Sequence, residues 1–304
     1  TYTITGPVYV RNGATLTIEP GTVIYGANST ASLIITKGSK INAAGTVSNP
    51  IVFTSSKVKG SRAQGDWGGI IVLGNASYNI NSGTGSIEGI EVNADTAFGG
   101  GLSPNNADNS GTLQYVRIEF SGVALSTTAN SEINGLTMGG VGSGTTIDHI
   151  QVSYNGDDAF EWFGGSVNCK YLVALGTYDD DFDTDNGYNG NVQFGLVVRN
   201  PQLADSSKSN VFESDNNATS VAGTSFTSAV FSNITVVGPT KRQTLTNGGT
   251  LNSNYQYALH LRRNTKLKVY NSVFMDNKLG LYIDGATTAA NAVAGDLVFS
   301  NNII

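Results

Sequence analysis

Apolar residues along this chain come in short runs that alternate with polar ones and do not return at helical spacing. The runs LTI, SLIIT, IVFT, GIIVLG, LVAL, GLVV and LKVY favour strands, and no long segment places its apolar residues on one helical face. The pattern also repeats. Near the N-terminus Ala14, Leu16, Ile18, Gly21 and Ile24 recur 17 residues later as Ala31, Leu33, Ile35, Gly38 and Ile41. Alternate strand residues face one way, so Leu16 and Ile18, then Leu33 and Ile35, are expected to stack on one inner wall, with Pro20-Gly21 and Lys37-Gly38 as turns. In the middle TLQYVRIEFSG matches TIDHIQVSYNG at an offset of 34. An offset of 22 then lays Cys169, Leu172 and Ala174 on Ile147, Ile150 and Val152, and Asp179, Asp180, Phe182, Asp183 and Gly187 on Asp157, Asp158, Phe160, Glu161 and Gly165.

Hydrophobic positions and turn glycines repeating together mark a solenoid of stacked coils. The pattern predicts an all-β chain, one domain over residues 1–304, folded as a single-stranded right-handed parallel β-helix of roughly ten or more coils. The handedness follows from the rule for parallel crossovers. Polar insertions are expected near residues 57–64 (KVKGSRAQ), 75–110 and 123–144, and long loops on a rigid scaffold are where binding is commonly placed. The chain begins inside a pattern at TYTITG and stops inside a coil at LVFSNNII. The native protein is therefore expected to extend at both ends, or its last coil carries an unusual cap.

Composition narrows the function. The 38 glycines among 304 residues suit many tight turns, and a net charge of −6 argues against a nucleic-acid partner, which requires a basic surface. No run is long and apolar enough to cross a bilayer. The one cysteine, Cys169, sits at the register of Ile147 and reads as a core thiol, so no internal disulfide forms. Charge is unevenly spread. Nine of the 23 acidic residues fall between Asp148 and Asp185 against the single base Lys170, whereas Lys241 to Lys278 holds 7 of the 17 basic residues and one acid, Asp276. Stacked on one axis, these regions are expected to form separate acidic and basic zones.

Carboxylates at equal places in adjacent coils lie about 4.8 Å apart and repel unless a cation balances them or one keeps its proton. Asp157, Asp158, Asp180, Asp181 and Asp183 are the candidate ligands, and calcium suits a set of hard oxygens on turns. Two other readings stay open: catalytic carboxylate pairs as in glycoside hydrolysis, and turn aspartates bonded to their own backbone. Trp67, Trp162, Tyr178 and Tyr188 are glycine-flanked or loop-side rings that either stack on sugars or pack over coil corners. Arg262 and Arg263 lie on a strand that sends one of them outward, Arg263 being the candidate for an acidic sugar. His149 and His260 build no zinc spacing, and no nucleophile elbow, phosphate loop or dinucleotide fingerprint is present.

The segments LTIEPGTVIYG, SLIITKGSKINAAGT, NPIVFTS, GDWGGIIVLGNA, IEG, LQYVRIEFSG, NGDDAFEWFGG, VNCKYLVALGTYDDDFDTDNGYNGNVQFG, LHLRRNT and GLYIDG together resemble the secreted right-handed parallel β-helix proteins on the surface of Bacteroidetes and some marine bacteria. Many of those carry a lipoprotein anchor or a sorting domain, which here would lie outside the given sequence. The resemblance implies the fold and an extracellular or outer-surface location. Galacturonases share the fold, but their catalytic pattern fails here: Asn155-Gly156-Asp157 overlaps Asp157-Asp158, no Gly-His-Gly follows, and Arg263 to Thr265 does not give Arg-x-Lys. The expected role is non-catalytic binding of extracellular polysaccharide or a cell-envelope component, with a structural calcium site. The alternative is a calcium-dependent lyase acting on uronate-containing glycans, with Arg199 or Arg262 as its base.

Overall fold

In the computed structural model the described residues are 1–80, 82–87, 89–90, 92–124, 132–221, 225–241 and 249–304. They form a parallel β-helix. One sheet, here the second sheet, stacks nine parallel strands in chain order: Pro7–Val10, Ser32–Ile35, Ile70–Leu73, Leu136–Gly139, Phe160–Phe163, Phe182–Asp185, Phe212–Ser214, Tyr257–Leu261 and Leu279–Ile283. The first sheet runs beside it from Tyr2–Ile4 to Val298–Ser300. Its longer strands are folded in two at a single residue of positive φ: Tyr115 (49°), His149 (53°), Tyr171 (55°), Phe194 (63°) and Asn233 (59°). Pairing skips these residues, as where Gln114 faces Asp148 and Val116 faces Ile150. The two halves of Gly111–Glu119 accordingly pair with different earlier strands, Lys40–Ala44 and Ile51–Ser55. Each such coil therefore has three walls around one core.

The middle repeats fall as read: Thr112 pairs with Thr146, Ile147 with Cys169, and Phe160 with Phe182. The 17-residue repeat does not stack. Leu16 pairs with Ile41 in the first sheet, whereas Leu33 pairs with Val8 in the second. All walls obey the same alternation and end in similar turns, so a short shift aligns neighbouring walls of one coil as readily as one wall of two coils. Inward rings stack along the axis, Phe160 on Phe182 at 5.8 Å and Phe182 on Phe212 at 5.1 Å between centroids.

The insertions decide which outer surface stays open. Residues 57–64 fold back on Asp66, which takes Lys57 Nζ and Ser55 Oγ at 2.6 Å each. The 75–110 excursion carries the antiparallel pair Gly85–Ser86 and Ala97–Phe98, and it buries Ile87 and Phe98 against Ile71 and Leu73 on the outer face of the second sheet. Asn81, Glu88 and Glu91 lie outside the described residues. The third insertion is shorter than read. Val123–Ala124 pairs with Glu132–Ile133, residues 125–131 lie outside the described residues, and Leu136–Gly139 is a fully buried coil strand. Its glycines mark close approach rather than a loop, since a Cβ on Gly139 would lie 2.7 Å from the Phe98 ring. One element was not foreseen: the helix Ala286–Ala294 in the last coil, ended by left-handed Gly295. Its alanines favour a helix without writing an apolar stripe. No helix among the described residues is long and apolar enough to cross a membrane.

Candidate functional site

Beyond the part covered by the excursion, the outer face of the second sheet turns acidic. Strand register aligns Thr137, Glu161, Asp183, Glu213, His260 and Tyr282 in one column. Each acid follows a core phenylalanine, Phe160, Phe182 or Phe212, so alternation that buries the ring turns the carboxylate outward. The preceding turns stack as well. Asp180 N–H donates to Asp158 Oδ1 at 2.8 Å, and Asp179 N–H to the Asp157 carbonyl at 3.3 Å. The three acids of the column, Glu161, Asp183 and Glu213, and the turns line a cleft of about 900 Å³, together with Lys208, Arg262, Arg263 and, from the excursion, Tyr78.

Three overlapping sets of carboxylates bring oxygens within 4.8 Å of one another: Asp157, Asp158 and Asp179; Asp158, Glu161 and Asp183; Asp180, Asp183 and Glu213. Burial first, and then repulsion by neighbouring carboxylates, holds Asp158, Asp180 and Asp183 well above the ordinary carboxylate range. Burial pushes Glu213 up to about 7 against the pull of Arg262. Such a group cannot carry all its charges bare, so protons or cations must share it. An all-oxygen donor set suits a hard divalent ion, and calcium takes six to eight such ligands in flexible geometry.

Arg262 and Arg263 supply part of the balance. Arg262 contacts Glu213 and donates through Nε to Asp215 at 2.8 Å, while Arg263 Nη1 reaches the other Asp215 oxygen at 2.7 Å. Glu213 and Asp215 lie in the coil between the acidic stretch 148–185 and the basic one, and they link the two zones. Asp183, Asp158, Asp180 and Asp157 line the cleft as grouped from sequence, and Arg263 joins them.

Several expectations are corrected. Asp181 turns inward, fully buried, and forms an ion pair of 3.2 Å with buried Arg199. It is no ligand of the cleft. Arg199 also donates to the carbonyls of Asp179 (2.6 Å) and Asn210 (2.9 Å) and lies over the Tyr255 ring, so it fastens the acidic turn from behind and cannot reach a substrate. Trp67, Trp162 and Tyr188 are fully buried and offer no face to a sugar. Trp67 donates to the Glu119 carbonyl at 2.8 Å, and Trp162 stacks on Tyr188 at 5.2 Å. The neighbouring glycines make room for these rings: a Cβ on Gly26 would lie 2.3 Å from Trp67. Tyr178 is half-buried and outside the cleft lining, with its carbonyl held by Asp205 N–H and Ser209 Oγ. Cys169 is a core thiol that burial pushes up to about 12.

The reading of candidate ligands missed Glu161, Asp179 and Glu213, and it missed Asp215 as the partner of Arg262 and Arg263. A signal for three of the column positions was present in the repeated Phe-acid pairs 160–161, 182–183 and 212–213. The third pair was hidden because its coil is 30 residues long, with the loop around Pro201 to Asn210 inserted.

No curated protein matches the chain. Among solved structures, an alginate lyase from Paenibacillus sp. str. FPU-7 aligns over 88% of this chain and 98% of its own at 12% identity, with a TM-score of 0.28, an overlap that carries no argument about chemistry. The family model described as a pectate-lyase like beta helix domain matches residues 1–304. The chain belongs to the pectate-lyase-like β-helix domain family.

Proposed function

We propose that the acidic cleft is a calcium-dependent binding site for an acidic, uronate-containing polysaccharide, that it binds without cleaving, and that the protein works outside the cell or on its outer surface. The observation that carries this reading is the chain of three overlapping carboxylate sets on one open face. Such a face repels a polyanion until cations occupy it. A cation held by carboxylates from below keeps coordination positions toward the cleft, where a uronate carboxylate or hydroxyl can serve as ligand. Arg263, 42% exposed at the side chain and on the cleft lining, is the group to pair with a second carboxylate. Membership in this family supports a polysaccharide-related role.

The family also favours a second reading, a lyase in which the cation acidifies the proton beside a uronate carboxylate and Arg262 removes it. Arg262 is poorly suited to that task. Burial pulls its pKa down, but Glu213 and Asp215 together hold it above the ordinary arginine range. Both readings are tested by titrating polygalacturonate and alginate into the protein in calcium and in chelator, while following absorbance of the unsaturated product. Binding that needs calcium and yields no product above a heat-killed control supports the proposal. Equal binding in chelator overturns the role of calcium, and product formation overturns the non-catalytic role.

A further inference from the structure

We infer that two neutral oxygens buried next to Glu161 behind the cleft lining, Asn134 Oδ1 and Thr137 Oγ1, complete a cation seat with the carboxylates of Asp158, Glu161 and Asp183, and that this seat selects calcium over magnesium. The inference rests on the cation-dependent reading above and adds to it a residue-level basis for metal choice. Thr137 is the next rung of the acidic column, paired with Glu161 on the neighbouring strand. It is fully buried, and its hydroxyl has no hydrogen-bond partner. Asn134, 2% exposed, touches the Glu161 carboxylate through its amide nitrogen, while its amide oxygen is likewise unpartnered.

Buried polar atoms without partners are rare in folded proteins and ask for a specific cause. Two of them flank one member of a carboxylate set whose oxygens already approach within 4.8 Å. An amide oxygen only accepts and a hydroxyl can accept as well as donate, so a cation is a group that both oxygens can hold together with the carboxylates. The seat would offer five protein residues, leaving about one to three of calcium's positions toward the cleft. Calcium accepts six to eight oxygens with loose geometry, whereas magnesium gives up its water reluctantly and prefers one or two carboxylates. The set formed by Asp180, Asp183 and Glu213 shares Asp183 with the seat.

The test is calorimetric titration of calcium, and separately of magnesium, into the metal-stripped full chain. Wild type is compared with Thr137→Val, Thr137→Ser and Asn134→Ala, and each protein is also melted without metal. Thr137→Val is expected to weaken calcium binding at the seat about tenfold or more, the scale on which altered metal surroundings act, and to leave magnesium nearly unchanged. Thr137→Ser, which keeps the hydroxyl, should stay close to wild type. Without metal, Thr137→Val should melt no lower than wild type, because it removes an unpartnered buried hydroxyl. Asn134→Ala gives an independent second reading of the same calcium loss. If wild type binds calcium and both Thr137→Val and Asn134→Ala bind it equally well, the seat is wrong while the cleft reading stands. If wild type binds no calcium, the cleft reading fails and the seat with it.

Discussion

Two ladders run along this β-helix with the same coil repeat and opposite energetics. On the first sheet, at the corner of positive φ, Tyr115, His149, Tyr171 and Phe194 stack ring on ring at 4.3, 4.3 and 5.0 Å. On the outer face of the second sheet, Glu161, Asp183 and Glu213 stack carboxylate on carboxylate. A stacked ring pair contributes about 0.5–1.5 kcal/mol beyond its burial. Unit charges about 5 Å apart repel by roughly 3 kcal/mol at an effective dielectric of 20. Side chains other than glycine also resist the left-handed corner, at about 1–2 kcal/mol each, and beyond the rings the same position passes to Asn233 and Asn271, a residue type that tolerates it. The aromatic ladder offsets its strain with its own contacts. The acidic ladder is met by Arg262 at one end and by the uncharged amides of Asn134 and Asn210, which do not neutralise it, so its remaining charge calls for protons or cations from solution.

The largest way to disturb this contrast is to remove the cation behind the acidic turn. Arg199→Met leaves Asp181 buried without its partner and should cost about 3–5 kcal/mol in denaturant unfolding, much of it restored by adding Asp181→Asn. Next comes the shared carboxylate. Asp183→Asn should raise the stability of the metal-free protein by up to about 3 kcal/mol, since it relieves repulsion on both sides, and should remove most of the calcium-dependent gain, because Asp183 belongs to two of the three sets. A melt of the variant below wild type in chelator would show that the column carries no net repulsion.

The metal-free protein should also respond to pH in an unusual direction. The folded pKa values of Asp158, Asp180, Asp183 and Glu213 are raised, so the native state keeps protons that the unfolded chain has released. Their contribution is fully present below the ordinary carboxylate range and is lost as pH rises, for Glu213 through about 7. The melting temperature in chelator is expected to fall over that window, and saturating calcium should flatten the profile. The smallest effect lies on the other ladder. Tyr171→Ala loses two stacked partners, about 1–2 kcal/mol, and keeps the corner strain, whereas Tyr171→Gly loses the same contacts and relieves the strain. Glycine should therefore be the milder substitution by about 1 kcal/mol, the reverse of the usual order.

The sequence made the solenoid legible where coils keep one length. Phe160 and Phe182 stand 22 residues apart because no insertion separates them, and the register of Glu161 with Asp183 followed directly. Where a loop lengthens the coil, as before Phe212, the repeat disappears although the wall continues. Alternation alone could not say which wall a strand belongs to, which is why Leu33 was set on Leu16. Grouping by closeness in sequence failed at Asp181: its neighbour Asp180 lines the cleft, whereas Asp181 faces the other way and pairs with buried Arg199. Glycines beside Trp67 and Trp162 looked like loops that expose rings, and packing required the opposite. The acidic face itself was readable from composition, but its partition among three sets and the role of Arg262 depended on strands far apart in the chain.

The most direct test of the central claim, that the acidic ladder is balanced by a bound cation, is a thermal melt of the full chain in chelator and in millimolar calcium near neutral pH. An ion that binds only the folded state adds about 2.7 kcal/mol at a hundredfold excess over its dissociation constant. The account predicts a melting temperature several degrees higher in calcium for wild type and a much smaller shift for Asp183→Asn. Equal melting of wild type in both buffers would contradict it and would leave protons alone to neutralise the column.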